Sequence, residues 1–535
     1  MTFQRRFLAT LTVLATLGRE LRSQDQHADH LGTVRFPVSC SAAAQQEFNQ
    51  AAALLHHMTY PPARAAFEHV LVTDSTCAMA HWGIAMTLFQ PLWPTRPGPE
   101  ALRRGWNEVQ QARVLGPKTD RERMFLDAAE AFFLEPDSRD YWLRIRRWEG
   151  SLQRLYEAFP TDPEASAFYA LAHLATTPSD TISREHADQA AEILLRVYRQ
   201  NPDHPGAMHY LVHANDVPGR EKELLEITRK YDSVAPRNPH ALHMPTHIYT
   251  RLGDWNGVIR GNELAAQAAL ATPAGEHGEF IWDEFAHAIE YLVYAWLQEG
   301  ADDSAAVAVE RLRTTTRLEP TFKTAFHLAS TQARYALERQ AWNEAVALVP
   351  REPATLDWNR FPWAEAITRF ARGLGAAHLG DLRESKMNAA RLDSLEEKAR
   401  TSGEDLFTRN IRVLRLELNA WIAHTGGEGD SSLVLMRNAA ALEVSTPKHA
   451  VTPGPLLPAF ELLGDLLMEE KRPAEALAAY RRSLELYPRR FNSLLGAARA
   501  ARASGDQSLA GQFYRELIAV AARGSNRPGL EEARR

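Results

Sequence analysis

The sequence predicts an all-α protein, a right-handed superhelical solenoid of helix hairpins. Three observations carry that expectation. Matching residues recur at an interval of 34, apolar residues repeat at helical spacing between Gly or Pro about every 15 to 20 residues, and strand patterns are nearly absent. At 535 residues the chain is also too long for one compact core, which leaves several domains or a solenoid.

Residues 1–23 read as a signal peptide or N-terminal leader. Arg5 and Arg6 precede an apolar run from Phe7 to Leu17, too short to span a bilayer, and a polar stretch from Arg19 to His30 follows. A small-x-small cleavage site is missing, so a plain N-terminal helix is the alternative. An export signal would place the protein in the periplasm or outside the cell; without it the chain is cytoplasmic. Residues 24–40 form an extended lead-in that includes His27 and His30. The chain has two cysteines, Cys40 and Cys77, which export would allow to pair and the cytoplasm would leave as buried thiols.

Residues 41–425 carry the solenoid. Ala51, Ala63, Phe67 and Val70 fit a hairpin frame with small residues at helix crossings, and Trp82, Gly83 and Ala85 open the next unit. The interval of 34 is that of the tetratricopeptide repeat. Gly, Ser and Pro cluster at Thr401 to Glu404, Gly426 to Ser432 and Ser445 to Pro458, so 426–457 is expected as a loosely ordered joint. Residues 458–522 form a C-terminal repeat pair. There Gly464, Ala476, Tyr480, Ser483 and Pro488 match the repeat pattern, and a shift of 34 gives Ala498, Ala510 and Tyr514. Residues 523–535 are a polar tail. Helix hairpins should therefore run from about residue 41 to about 522.

Two histidine pairs stand out: His209 with His213, and His243 with His247. Members of each pair are four residues apart, on one helix face, and the pairs are 34 apart. With Gly219 and Gly253 as the turns of successive hairpins, the pairs occupy equivalent first-helix positions. His240 lies one turn upstream of His243. With Gly300 and Gln340 as the next turns, His287 and His327 fall level with His240, and Glu290 falls level with His243. Asp216 follows His213 by three residues on much the same side. In tetratricopeptide repeats generally, these first-helix positions line the concave groove.

The runs HPGAMHYLVHAND, HALHMPTHIYTRLGDW and FAHAIEYLVYAW, with FPVSC and CAMAHWGIAM upstream, resemble a group of bacterial tetratricopeptide-repeat proteins similar to the animal tetratricopeptide repeat protein 38 family. The resemblance covers the chain from about His30 onward and implies a helical superhelix with a histidine-lined centre. Relatives in that group carry a second His in the third run, where this chain has Glu290. That departure bears on the ligand role of the position, although Glu can itself bind a metal.

Imidazoles grouped in this way suit zinc, copper or iron. The expected ligands are His209, His213, His243, His247 and His287, with His240, Glu290 and Asp216 as weaker candidates and His327 behind them. The competing reading is a polar groove that holds a protein or peptide. His56, His57 and His81, like Trp82, Trp93 and Trp363, are expected to serve packing. The function follows as a binding scaffold with a candidate divalent-metal site, the alternative being a metal-dependent hydrolase or oxidoreductase. A net charge of −6 without a long basic run argues against nucleic acid as a partner, and no further segment is apolar enough to cross a membrane. HExxH, GxSxG, phosphate-cradling glycine loops and CxxC are all missing.

Overall fold

A computed structural model describes residues 30–93, 96–138, 140–178, 184–275, 277–524 and 527–535. The leader and His27 lie outside them. Helix follows helix from Ala42–His56 to Leu530–Arg534, and the named strands among the described residues are the antiparallel pair Pro273–Ala274 and Phe280–Ile281. Each helix packs on its sequence neighbour, and many pack on the next but one as well, which is how stacked hairpins of the tetratricopeptide type make a solenoid. None of the described helices is long and apolar enough to cross a membrane.

The small residues work as crossing points. A Cβ on Gly464 or Gly496 would come 2.6 or 2.4 Å from the Tyr480 ring, and one on Gly83 would come 2.3 Å from Phe67. Both aromatic rings thus fill space that only a missing side chain leaves open. The expected hairpin turns, Gly219, Gly253, Gly300 and Gln340, all have left-handed backbone, with φ of 85°, 64°, 66° and 54°, although only the first two are 34 residues apart.

The superhelix closes on itself. Arg96 pairs with Glu404, and the Trp142 indole donates to the Gly403 carbonyl. A coil later, Trp255 donates to the Arg489 carbonyl and Arg489 donates to that of Gly253. The expected loose joint at 426–457 differs from the observed structure. Gly429–Val444 is a helix, and the segment after it is a strap laid through the concave face. Arg334 donates to the carbonyls of Gly454, Pro455 and Leu456, Tyr291 donates to that of Thr452, and Lys448 pairs with Asp216. Glycine and proline give the strap its extended course, but buried donors supplied by distant helices fix it, and composition does not report those.

Cys40 and Cys77 are joined as a disulfide, with Cα atoms 5.0 Å apart and a sequence separation of 37. Closing a loop of that size restricts the unfolded chain by roughly 4 kcal/mol. A Cys40→Ser/Cys77→Ser variant should accordingly unfold at lower denaturant than the oxidised wild type. An unchanged midpoint in urea would show that the Ser41 amide bond to Asp74, 2.7 Å, already holds the same two ends.

Candidate metal centre

Five helices converge on the interior. Pro205–Asn215 supplies His209 and His213, Glu284–Gln298 supplies His287 and Glu290, and Phe322–Glu338 supplies His327. Between them, Pro239–His243 and Pro245–Leu252 supply His240, His243 and His247, continuing in one direction through Met244 although Pro245 lacks an amide donor. His209, His240, His243, His247, His287 and His327 are buried, and His213 is partly open to a cleft.

The rings form two trios, His209/His213/His240 and His243/His247/His287. In the first, Nε2 of His209 lies 3.2 Å from Nε2 of His213 and 3.1 Å from Nε2 of His240. In the second, the Nε2 atoms of His243 and His247 are 3.0 Å apart, and Nε2 of His287 is buried with no hydrogen-bond partner.

The outward nitrogens decide the protonation of the inward ones. Nδ1 of His209 is 2.6 Å from the His56 carbonyl, which can only accept, so that nitrogen carries the proton. Nδ1 of His240 donates to Glu284 at 3.0 Å, and Nδ1 of His247 donates to Asp216 at 2.9 Å. Asn262 donates through its amide nitrogen to the Val258 carbonyl, which turns its oxygen toward Nδ1 of His243 at 2.7 Å. His287 donates from Nδ1 to Nε2 of His327 at 3.0 Å, and His327 donates from Nδ1 to Glu290 at 2.5 Å. A neutral imidazole with its proton on Nδ1 presents a lone pair at Nε2. Lone pairs therefore face one another with no proton between them at 3.1 Å between His209 and His240 and at 3.0 Å between His243 and His247.

Protonating a ring would relieve this, but burial opposes it. Desolvation holds His209, His213, His243 and His287 well below the ordinary imidazole range and brings His247 down to about 4. Behind the rings the charges are fixed. Burial raises Asp216 and Glu284, yet Lys448 and Arg251 outweigh it at the first and Lys323 and His240 at the second, so both stay well below the usual carboxylate range. The arrangement is one that a metal cation would satisfy: lone pairs inward, protons outward, and a carbonyl, amide or carboxylate oxygen orienting the rings.

The structure sorts the expected ligands. The five principal histidines do not share one point but divide between the trios. His240, a weaker candidate by sequence, is a full member of the first because it enters from the turn before His243. Asp216 and Glu290 are not inward ligands: Asp216 accepts from His247, Arg251 and Lys448, and Glu290 accepts from His327 and Arg334. His81 pairs with Glu108, and His57 packs on Tyr231. Sequence reading missed a further group, His56/Glu164/His204, assembled from three distant segments. Its nitrogens are all engaged: His56 with Tyr210 and Glu164, His204 with Glu164 and, as a helix cap, the Ala207 amide. With no lone pair left over, that group is a hydrogen-bonded brace.

A cleft with about 1090 Å³ of empty space reaches His213 and Asp216 past Trp93, Phe407, Lys448 and His449. The strap forms one of its walls.

No family model and no curated protein matches the chain. Among solved structures, the chain is similar to the APC/C hetero-tetramer Cut9-Hcn1, at 13% identity over 97% of this chain and 80% of that one, with a TM-score of 0.36. It is also similar to the human IFIT1 dimer with m7Gppp-AAAA, at 12% identity over 91% of this chain and 92% of that one, with a TM-score of 0.37.

Proposed function

We propose that this protein is a tetratricopeptide-type solenoid that binds divalent late transition metal on the imidazoles of its concave face. The supporting observation is the set of Nε2 lone pairs that face one another while the Nδ1 protons are drawn outward. Three imidazoles suit zinc, copper or iron and leave a further coordination position open toward the cleft at His213. We also take the chain to be a relative of the tetratricopeptide repeat protein 38 group, on its histidine runs, and to be exported, in keeping with its leader and its disulfide.

Protein purified without a polyhistidine tag should contain zinc, copper or iron after dialysis, as read by elemental analysis. A His209→Ala/His240→Ala variant strips two ligands from the first trio. Its affinity for metal there should fall by at least about a hundredfold, with the helical circular dichroism retained. Wild-type protein that takes up no metal from buffered zinc or copper would end this reading.

A second reading rests on the strap. Arg334 binds three successive carbonyls of an extended segment, a contact indifferent to side chains, and the same surface would accept a protein or peptide displacing residues 445–458. A strap-derived peptide that fails to bind a variant with the strap replaced by a glycine-serine linker would remove it.

A further inference from the structure

We infer that the two histidine trios form one dinuclear centre, holding a pair of late transition-metal ions that share a bridging anion, with copper the preferred metal. This inference rests on the metal-binding reading above and adds to it the number of ions, their coupling and their companion ligand.

The trios are not separate sites that happen to lie in one groove. A single interrupted helix feeds both: His240 belongs to the first trio, and His243 and His247, one and two turns on, belong to the second. Rings of opposite trios lie side by side, with His213 and His247 centroids 5.9 Å apart and His240 and His243 centroids 6.1 Å apart. An ion sits about 2 Å beyond each Nε2 it binds. Two ions so placed would occupy neighbouring positions, which three imidazoles each leave unsaturated. One ion would serve one trio and abandon the other. The orphaned Nε2 of His287 belongs to the second trio, and the facing Nε2 atoms of His209 and His240 belong to the first, so a cation would satisfy each.

The charge balance specifies the companion. Around the rings, Asp216, Asp283, Glu284 and Glu290 carry four negative charges, and Arg251, Lys323, Lys448 and Arg334 carry four positive ones, paired among themselves. The surroundings are therefore neutral before any metal enters. Two divalent ions would bring uncompensated charge into a buried space, which is costly. An anion bound between them offsets it and takes the coordination positions that the imidazoles leave. An all-imidazole donor set without carboxylate or thiolate suits copper, the tightest binder of the divalent series.

The test is copper stoichiometry with spin counting. Tag-free protein stripped with chelator and titrated with Cu(II) should bind two equivalents per chain. Its integrated paramagnetic resonance should fall well short of two spins, because a shared anion couples the ions. His209→Ala and His287→Ala, one from each trio, should each retain one equivalent and regain the full signal of one isolated Cu(II). Two equivalents giving two full spins in the wild type would overturn the dinuclear centre while leaving metal binding intact, as would one equivalent that both variants abolish. Zinc displacing copper at equal concentration would overturn the metal preference. No copper and no zinc bound would instead defeat the metal-binding reading on which the inference stands. The wild-type measurements decide the matter even where a variant fails to fold.

Discussion

Below about pH 6 the metal-free protein should lose its helical structure cooperatively, with the transition complete before about pH 4. Burial holds His57 and His449 at about 3, His247 and His378 at about 4, and His209, His213, His243 and His287 well below the ordinary value. Each is neutral in the folded state and free to take a proton near pH 6.5 once unfolded. Their folded values are depressed, so the unfolded state binds more protons and stability drops as pH falls from about 6.5 toward the folded values. Buried carboxyl groups work the other way. Burial lifts Glu319 and Glu443 to about 8, Asp465 to about 7 and Glu417 well above its usual range, and it raises Asp232, Glu299 and Asp302 as well, so the folded state holds such protons through the same window. With His56 and His186 also lowered, the histidines outnumber these carboxyls, which leaves a net difference of a few protons near pH 5. At about 1.4 kcal/mol per proton and pH unit, stability falls by several kcal/mol per unit, enough to exhaust a margin of about 5–15 kcal/mol within two or three units. Circular dichroism against pH in the presence of chelator reads this directly. A signal unchanged at pH 4 would mean that the histidines charge without unfolding the solenoid. Bound metal should shift the transition to lower pH, because protons must then displace it.

The same rings show what the sequence could and could not convey. The 34-residue offset between His209/His213 and His243/His247 specifies neighbouring helices and one face, and Gly219 and Gly253 repeat it; the left-handed turns at Gly300 and Gln340 follow at longer intervals of 47 and 40 residues. The division into trios was not legible. It depends on how far one helix advances against the next, and it brings His240 forward while holding Glu290 back against Arg334. Asp216 sits at helical spacing from His213, yet it serves His247 on the following helix, a contact that only the stacking creates. The strap was misread for a related reason. Gly454, Pro455 and Pro458 signal a break in helix, and nothing local announces that Arg334, 120 residues earlier, is waiting for the Gly454 carbonyl. His56, Glu164 and His204 lie farther apart still and share no period.

Arg490 should be the most damaging single position to neutralise, because it locks the closure of the superhelix from within. Its guanidinium is fully buried, with nitrogens 2.9 Å from Glu338, 2.9 and 3.0 Å from the two oxygens of Glu461 and 3.0 Å from the Tyr294 hydroxyl. Glu338 ends the helix that carries His327, Glu461 begins the C-terminal repeat pair, and Tyr294 lies on the helix of His287, so one side chain joins two histidine-bearing helices to the end of the solenoid. Arg490→Met removes the charge at similar length and strands two buried carboxylates. Removing one partner of a buried ion pair costs about 3–5 kcal/mol, and here the lost partner serves both acids, so at least about 5 kcal/mol is expected by urea denaturation. Arg490→Lys keeps the charge but gives up the fork that meets both oxygens of Glu461, so it should recover only part of that loss. Adding Glu461→Gln to Arg490→Met removes one of the stranded charges and should restore more stability than Glu461→Gln alone would predict. A cost below about 1 kcal/mol for Arg490→Met would show that the coil closes by apolar packing, leaving Arg490 a passenger between two acids that water or protons can satisfy.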